Sequence, residues 1–336
     1  MRKLASIQIV TAVEPIPDAD AIDRFRVLGW WIVGKKGDVA VGDRVVYCEI
    51  DSLLPEKPEF EFLRPSSFKP AITEGENILQ RAGFRIKTIK LRGQVSQGIC
   101  FPLSLLAAEG QYEVGDDVTD VLGIIKYEPP APAGMGGLVK GLFPGFLPKT
   151  DETRIQVLEP LLDLYRGQTF FITEKLDGTS FTAFLSDGEF GLCSRNLWLD
   201  ETDSTSLFAR LSQTIELAQK LELIRDRFGF QPAIQAEVIG PGIQKNKYGL
   251  NKVELRVFSV IDIDQYCLVD RDVMLSAIEI AGLTSVPQLG EMVLNHSIDE
   301  LVDFAVGMSQ LNPKAHREGI CFAQRRKHRT RRSAVG

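Results

Sequence analysis

Thr173-Glu174-Lys175-Leu176-Asp177-Gly178-Thr179-Ser180 sets a lysine, an aspartate and a glycine between two apolar stretches, Thr169-Phe-Phe-Ile-Thr173 and Phe181-Thr-Ala-Phe-Leu185. Both flanks are short and rich in aromatic and β-branched residues, so they read as buried strands. A strand, a tight turn and a second strand would present an amine at the end of a sheet. Alone, the K-x-D-G core is weak: average composition yields such a match in roughly one chain in ten of this length. A turn with a solvated lysine and aspartate explains it equally well.

The segments that follow it add weight. Cys193-Ser-Arg195-Asn196 offers an arginine after the next strand pair. Ile234-Gln-Ala-Glu237-Val-Ile-Gly240 puts a carboxylate inside an otherwise apolar strand. Arg256-Val-Phe258-Ser-Val-Ile-Asp262 carries an aromatic mid-strand, and Arg317-Glu318-Gly319-Ile320 puts another carboxylate just before an apolar run. Each has an ordinary alternative: a core ion pair for Glu237, plain packing for Phe258, a turn for Glu318. Four such elements in this order after K-x-D-G are far harder to obtain by chance.

Around these segments the second half alternates helix and strand. Helices are predicted over 151–165, 207–228, 270–281 and 297–308. The second of these is marked by apolar residues at Leu207, Leu211, Ile215, Ala218, Leu221 and Ile224. Strands are predicted over 189–193, 233–239 and 255–263. The first half, to about Ile125, reads as β. Val41-Gly-Asp43 is a turn launching Arg44-Val-Val-Tyr-Cys-Glu-Ile50, and Val114-Gly-Asp-Asp117 is a second copy. Arg85-Ile-Lys-Thr-Ile-Lys-Leu-Arg92 alternates basic with aliphatic residues, which predicts one half-buried strand with a cationic outer face. Gly98-Ile-Cys-Phe-Pro102 continues after the next turn. Short strands between such turns suggest a small OB-like barrel. Residues 128–149 are rich in Pro and Gly and contain aromatics, so this linker is expected to pack down in part. The expected division is 1–126 for the β domain, 127–148 for the linker and 149–336 for the second domain.

The 336 residues suffice for two domains, with a globular balance of 44% hydrophobic and 25% charged residues. No apolar run approaches the ~20 residues that span a bilayer. Five scattered cysteines without a C-x-x-C argue against a zinc ribbon and for reduced thiols, hence a cytoplasmic setting. The net charge of −6 argues weakly against a nucleic-acid partner, but local basic patches decide that question. Two exist: Arg85, Lys87, Lys90 and Arg92, and the terminal Arg325-Arg-Lys-His-Arg-Thr-Arg-Arg332. The first could track a phosphate backbone or be a solvated face. Trp30 and Trp31 could stack on bases, although packing is the commoner role.

In order and wording the second half resembles the covalent nucleotidyltransferases: RNA ligases, DNA ligases and capping enzymes. The Lys175 segment is similar to their motif I, Glu237 to motif III, Phe258 to motif IIIa and Glu318 to motif IV, over most of residues 150–322. Gly240-Pro-Gly-Ile-Gln-Lys-Asn-Lys-Tyr-Gly249 is ligase-like. A β module ahead of the catalytic domain, containing Tyr47-Cys-Glu-Ile-Asp-Ser-Leu-Leu-Pro55, resembles the RNA ligase group of the Deinococcus radiodurans type. The resemblance implies an α+β chain: an N-terminal OB-like β-barrel, then an ATP-grasp-like nucleotidyltransferase domain of antiparallel sheets with flanking helices.

It further implies an ATP-dependent RNA ligase that joins 3′-OH and 5′-phosphate ends at nicks in duplexes. AMP would pass from ATP to Lys175 and then to the 5′ end. A free lysine has a pKa of ~10.4 and attacks only once neutral, which cations, a divalent metal and exclusion of water favour. By the same resemblance Glu174, Asp177, Gly178, Arg195, Glu237, Phe258 and Glu318 line the nucleotide site. Arg195 would face the α-phosphate, Phe258 would stack on adenine, and Glu237 and Glu318 would hold Mg²⁺ or Mn²⁺. The implied partner is RNA, or an RNA-containing duplex with a nick. Neither a membrane nor a protein partner is implied.

The chain departs from the family at its end. Where motif V would supply a strand-borne lysine pair, it runs Ala323-Gln-Arg-Arg-Lys-His-Arg-Thr-Arg-Arg-Ser-Ala-Val-Gly336. That tail leaves as one alternative an RNA-binding relative without turnover; a second, a DNA ligase or guanylyltransferase of the same superfamily, would be separated by nucleotide preference.

Overall fold

The computed structural model describes residues 3–74, 77–106, 111–127, 137–149 and 152–324. The chain divides into two compact units, Met1–Pro130 with Thr153–Leu161, and Ala131–Glu152 with Leu162–Gly336. Both are built on antiparallel sheets, and the α+β class expected from the sequence is what the chain adopts.

The first unit is a curled, OB-like sheet. Its five strands run in the order Ile99–Pro102, Arg44–Cys48, Ala5–Pro15, Ile22–Val27, Trp30–Lys35. The two Val-Gly-Asp turns flank the long strand Ala5–Pro15 in the same way. Gly42 N–H donates to Val10 and Gly115 N–H donates to Ile7, while the turn aspartates Asp43 and Asp116 accept from Ala40 and Glu113. Both glycines need a positive φ, near 95°, which explains why glycine stands at each. Ala5, Ile7, Val46, Leu54, Phe60 and Phe84 are fully buried between this sheet and a smaller one. That second sheet holds Ile125–Lys126, Ser52–Leu54, Gly83–Arg85 and Phe68–Lys69.

The stretch 85–92 is not one strand. Ile86 is held to the barrel by backbone hydrogen bonds with Asp51 and Ser52. The chain then leaves and forms a separate hairpin, Ile89–Leu91 with Gln94–Ser96.

In the second unit a seven-stranded sheet runs Val139–Leu142, Leu197–Leu199, Glu189–Cys193, Thr179–Ser186, Pro232–Ile239, Glu254–Asp262, Cys267–Leu268. The first strand comes from the Pro/Gly-rich stretch, whose Leu147 and Phe143 pack onto the sheet beside Phe184 and Trp198. A three-stranded sheet places Thr169–Lys175 (the lysine strand) between Gln288–Val293 and Gly319–Gln324. The predicted 207–228 helix is two, Leu207–Thr214 and Leu217–Phe228, because Glu216 turns left-handed at φ 55°. Where one helix was expected over 151–165 there is a short 3-10 turn, Ile155–Val157, which belongs to the first unit, then Glu159–Leu164, which spans the boundary at Leu161 and whose second residue is Pro160. Proline suits the first turn of a helix and not its interior, so it starts a new segment there. Helix Ile298–Ala305 begins as predicted at Ser297, in a capping box with Glu300.

The two helices within 207–228 cover one face of the large sheet. Phe181 and Phe208 meet edge to face there with ring centroids 5.1 Å apart, among Leu217, Leu221, Ile234 and Val257. Phe208→Ala is expected to cost about 3 to 5 kcal/mol of unfolding free energy, read by chemical denaturation of the full chain.

Candidate active site

Three residues carry the chain from one sheet to the other. The lysine strand ends at Lys175, and Thr179 opens a strand of the seven-stranded sheet. Leu176, Asp177 and Gly178 make the crossing. Leu176 is buried against Ile239, Tyr248 and Val286, which anchors the turn from below. A Cβ on Gly178 would overlap the Val238 carbonyl oxygen and come 2.8 Å from Glu237 Cγ, so only glycine permits this approach. The Gly178 N–H donates to Glu237 Oε1 at 3.0 Å, and the Asp177 N–H donates to the Tyr248 hydroxyl at 2.6 Å. Asp177 also pairs with Lys247 at 3.5 Å, and Gln244 donates to the Gly178 carbonyl at 3.3 Å.

Lys175 is half exposed, and its Nζ donates to Glu318 Oε1. Register places them together: Lys175 pairs with Gly319, and Glu318 directly precedes that strand. Glu318 is fixed in turn by its neighbour. The Arg317 guanidinium donates to the carbonyls of Phe304, Ala305 (2.8 Å) and Val306 (3.2 Å), the end of helix Ile298–Ala305. Helix C-termini leave such carbonyls without intrahelical partners, and a planar guanidinium can meet several at once. Gly307 lies close against that guanidinium: a Cβ there would come 3.0 to 3.2 Å from its atoms, so the arginine would have to shift by a few tenths of an ångström.

Glu174, beside the lysine, is buried at 1% exposure. Its Oε2 accepts from the Gln310 N–H at 2.8 Å. Its Oε1 is buried and meets no donor among the described residues. A buried carboxylate oxygen is costly unless a donor, from water or a ligand, meets it. Phe258 is the extra residue of a bulge between Val257 and Ser259. The bulge turns its ring toward the cluster around Leu176 and Tyr248. Arg195 stands exposed in the Ser194–Leu197 turn. It follows Cys193, which pairs with Thr182 near the Gly178 end of that strand.

The structure therefore joins Glu174, Lys175, Asp177, Gly178, Glu237, Phe258 and Glu318 in one place. Gln244, Lys247, Tyr248 and Gln310 were not singled out from sequence. The ligase-like phrase 240–249 contains the first three, but nothing in it signals that they tie down the turn. Of the basic stretch in the first unit, Arg85 pairs with Asp51 at 2.8 Å and lies over the Tyr127 ring at 4.5 Å. Lys87 donates to the Ser66 carbonyl at 3.0 Å, and Lys90 and Arg92 are exposed on the hairpin.

The RNA ligase family model matches residues 168–335. A Naegleria gruberi RNA ligase, solved as a substituted form without ligand, is 34% identical with a TM-score of 0.84, covering 96% of this chain and 92% of that one. The chain belongs to the RNA ligase family. An OB-fold domain model also matches residues 4–103. Two further substituted forms of the Naegleria ligase cover 96% of this family member. One, with ATP and Mn, is 34% identical with a TM-score of 0.83, over 94% of its own length; the other, with AMP and Mn, is 35% identical with a TM-score of 0.82, over 93%. No curated protein matches the chain. Among the described residues no helix is long and apolar enough to cross a membrane, and the five cysteines are free thiols. The family match runs into the basic tail, but residues 325–336, where a strand-borne lysine pair was expected and none is read from the sequence, lie outside the described residues.

Burial pushes the Glu237 carboxyl up to about 7; the Lys175 ammonium opposes the rise and the Glu318 charge adds to it. A carboxyl raised in the folded state costs the fold stability once the unfolded chain's carboxyl ionises: the penalty is absent below the ordinary carboxylate range, grows as pH climbs from there towards 7, and is complete above it. At about 1.36 kcal/mol per unit, the rise from 4.5 to about 7 corresponds to roughly 3 kcal/mol. Glu237→Gln keeps the acceptor for Gly178. Without divalent metal the variant is expected to melt above the wild type near pH 8 and to match it near pH 4, as followed by thermal unfolding.

Proposed function

We propose that this ligase seals nicked RNA duplexes with ATP, and that Lys175 is the residue that accepts AMP. The observation that carries the reading is the Lys175–Glu318 pair set beside Glu237, at the junction of the two sheets. In the first step the neutral amine attacks the α-phosphorus, a nitrogen–phosphorus bond forms and the bond to pyrophosphate breaks. AMP then passes to a 5′-phosphate, and a 3′-OH attacks that end and releases AMP. The resemblance to the Deinococcus type supports the nicked duplex as substrate.

Each neighbour has a part in this reading. Glu318 holds the amine at the strand end until nucleotide enters. Two carboxylates converge on Lys175, one of them kept from ionising freely by burial, and an oxygen donor set of that kind suits Mg²⁺ or Mn²⁺. Glu237 and Glu318 would hold the metal, which would supply positive charge at the phosphates, and a Glu318 so engaged would leave the Lys175 amine free of its carboxylate. Arg195 adds charge at the α-phosphate as negative charge builds there. Phe258 offers a ring face to the base. The unpartnered Glu174 Oε1 can only accept while ionised, so it fits the exocyclic amino group of adenine and opposes the carbonyl at the same position of guanine.

Incubation with α-labelled ATP and Mn²⁺, then denaturing electrophoresis, is expected to give a labelled chain. Lys175→Ala should abolish it. Glu174→Gln is expected to narrow the preference for ATP over GTP by tenfold or more. The same protein should seal a nicked RNA duplex faster than it joins two single-stranded ends. A folded wild type that takes no label from either nucleotide would sink the reading.

A further inference from the structure

The outward face of the first unit carries a second feature, distant in sequence from the lysine. Strands Ile22–Val27 and Trp30–Lys35 pair so that Arg26 lies opposite Trp31 and Arg24 opposite Val33, all on one face. Phe25, Val27, Trp30 and Ile32 fill the other face and are buried. The Trp31 ring is only partly covered. The Arg24 guanidinium lies 4.4 Å from its centroid and that of Arg26 lies 5.8 Å away. Arg24 is held in place by Glu14 at 2.5 Å and Gln94 at 2.8 Å.

Gln94 belongs to the hairpin Ile89–Ser96, which is bound alongside Trp30–Lys35: Ser96 accepts from the Val33 N–H, and the Gln97 N–H donates to the Trp31 carbonyl. This hairpin is unusual for a surface loop. Ile89, Leu91 and Val95 are 38%, 38% and 42% exposed. Its two turn residues, Arg92 and Gly93, have φ of 46° and 82°, the pattern that favours Asn-Gly. An arginine at the first of these positions is conformationally disfavoured, and a disfavoured side chain at an exposed tip points to a use for its charge. Lys90 stands beside it, and neither has an acidic partner among the described residues.

Arg24, Arg26 and the partly covered Trp31 ring share one face of the strand pair, and the Gln94 contact to Arg24 brings alongside it the hairpin that carries Lys90 and, at its tip, Arg92. Cationic tracks interleaved with rings are how OB-like sheets hold single strands: phosphates meet the charges and unstacked bases meet the rings. Duplex bases are stacked on each other and cannot use a ring. We propose that Trp31, flanked by Arg24 and Arg26, is a stacking platform for a single-stranded RNA stretch, and that Lys90 and Arg92 on the hairpin hold its phosphates. The proposal rests on the RNA ligase reading for the choice of RNA.

The test measures binding of a fluorescein-labelled single-stranded oligoribonucleotide of roughly ten nucleotides by anisotropy across a salt series, with the full chain. Trp31→Ala is expected to weaken binding about tenfold or more, and Trp31→Phe, which keeps a ring, to hold most of the affinity. Lys90→Gln with Arg92→Asn removes both charges and leaves a residue that accepts the turn. It is expected to flatten the dependence of log affinity on log salt by between one and two. Wild-type affinity and salt slope in the alanine and the double variants, both melting as the wild type does, would overturn the platform and leave the ligase reading intact. Failure of the wild type to take label from ATP would strike the ligase reading and leave a measured RNA-binding loss standing.

Discussion

The close approach of Gly178 to the strand Pro232–Ile239 is the constraint on which the site depends. The chain must leave a three-stranded sheet at Lys175 and join a seven-stranded one at Thr179. Three residues suffice only because nothing projects from Gly178 and because its N–H finds Glu237. That bond ties the end of the crossing to the neighbouring strand of the larger sheet and holds the Glu237 carboxylate at the turn that follows the Lys175 amine. The buried Leu176 below and Tyr248 alongside keep the turn from relaxing. A solvated turn, the ordinary alternative for K-x-D-G, would have none of these ties.

Energetically the site is held against its own preferences. Glu237 sits where burial disfavours its charge, and Glu174 buries an oxygen that meets no donor among the described residues. Ordinary packing would select against both. The apolar sheet that surrounds them, with Phe181, Phe208 and Val257 wholly buried, supplies the stability that lets these carboxylates persist.

Much of this was legible in the sequence because the signals were local. A glutamate inside an apolar strand, an aromatic mid-strand and Glu318 before an apolar run all mark their own positions. What escaped was set by distant residues or by backbone torsion. The apolar spacing of 207–228 runs on through Glu216, so periodicity could not show its left-handed turn. The alternation of 85–92 hides that Ile86 belongs to the barrel while Ile89 belongs to a hairpin. Pro160 did carry a readable break within 151–165. Tyr248, Lys247 and Gln310 act only through residues more than sixty positions away, which no spacing rule detects.

The Arg317 clamp has a consequence for how this region can vary. Its three acceptors are main-chain oxygens of Phe304, Ala305 and Val306, present whatever side chains those residues carry. The helix can therefore exchange its surface residues freely and still hold Glu318 opposite the lysine. Constraint falls instead on Arg317, whose fork a lysine's single ammonium would not reproduce, and to a lesser degree on Gly307, where a side chain would press on that fork. The segment ahead of the second carboxylate is thus a mount of fixed geometry with an interchangeable exterior.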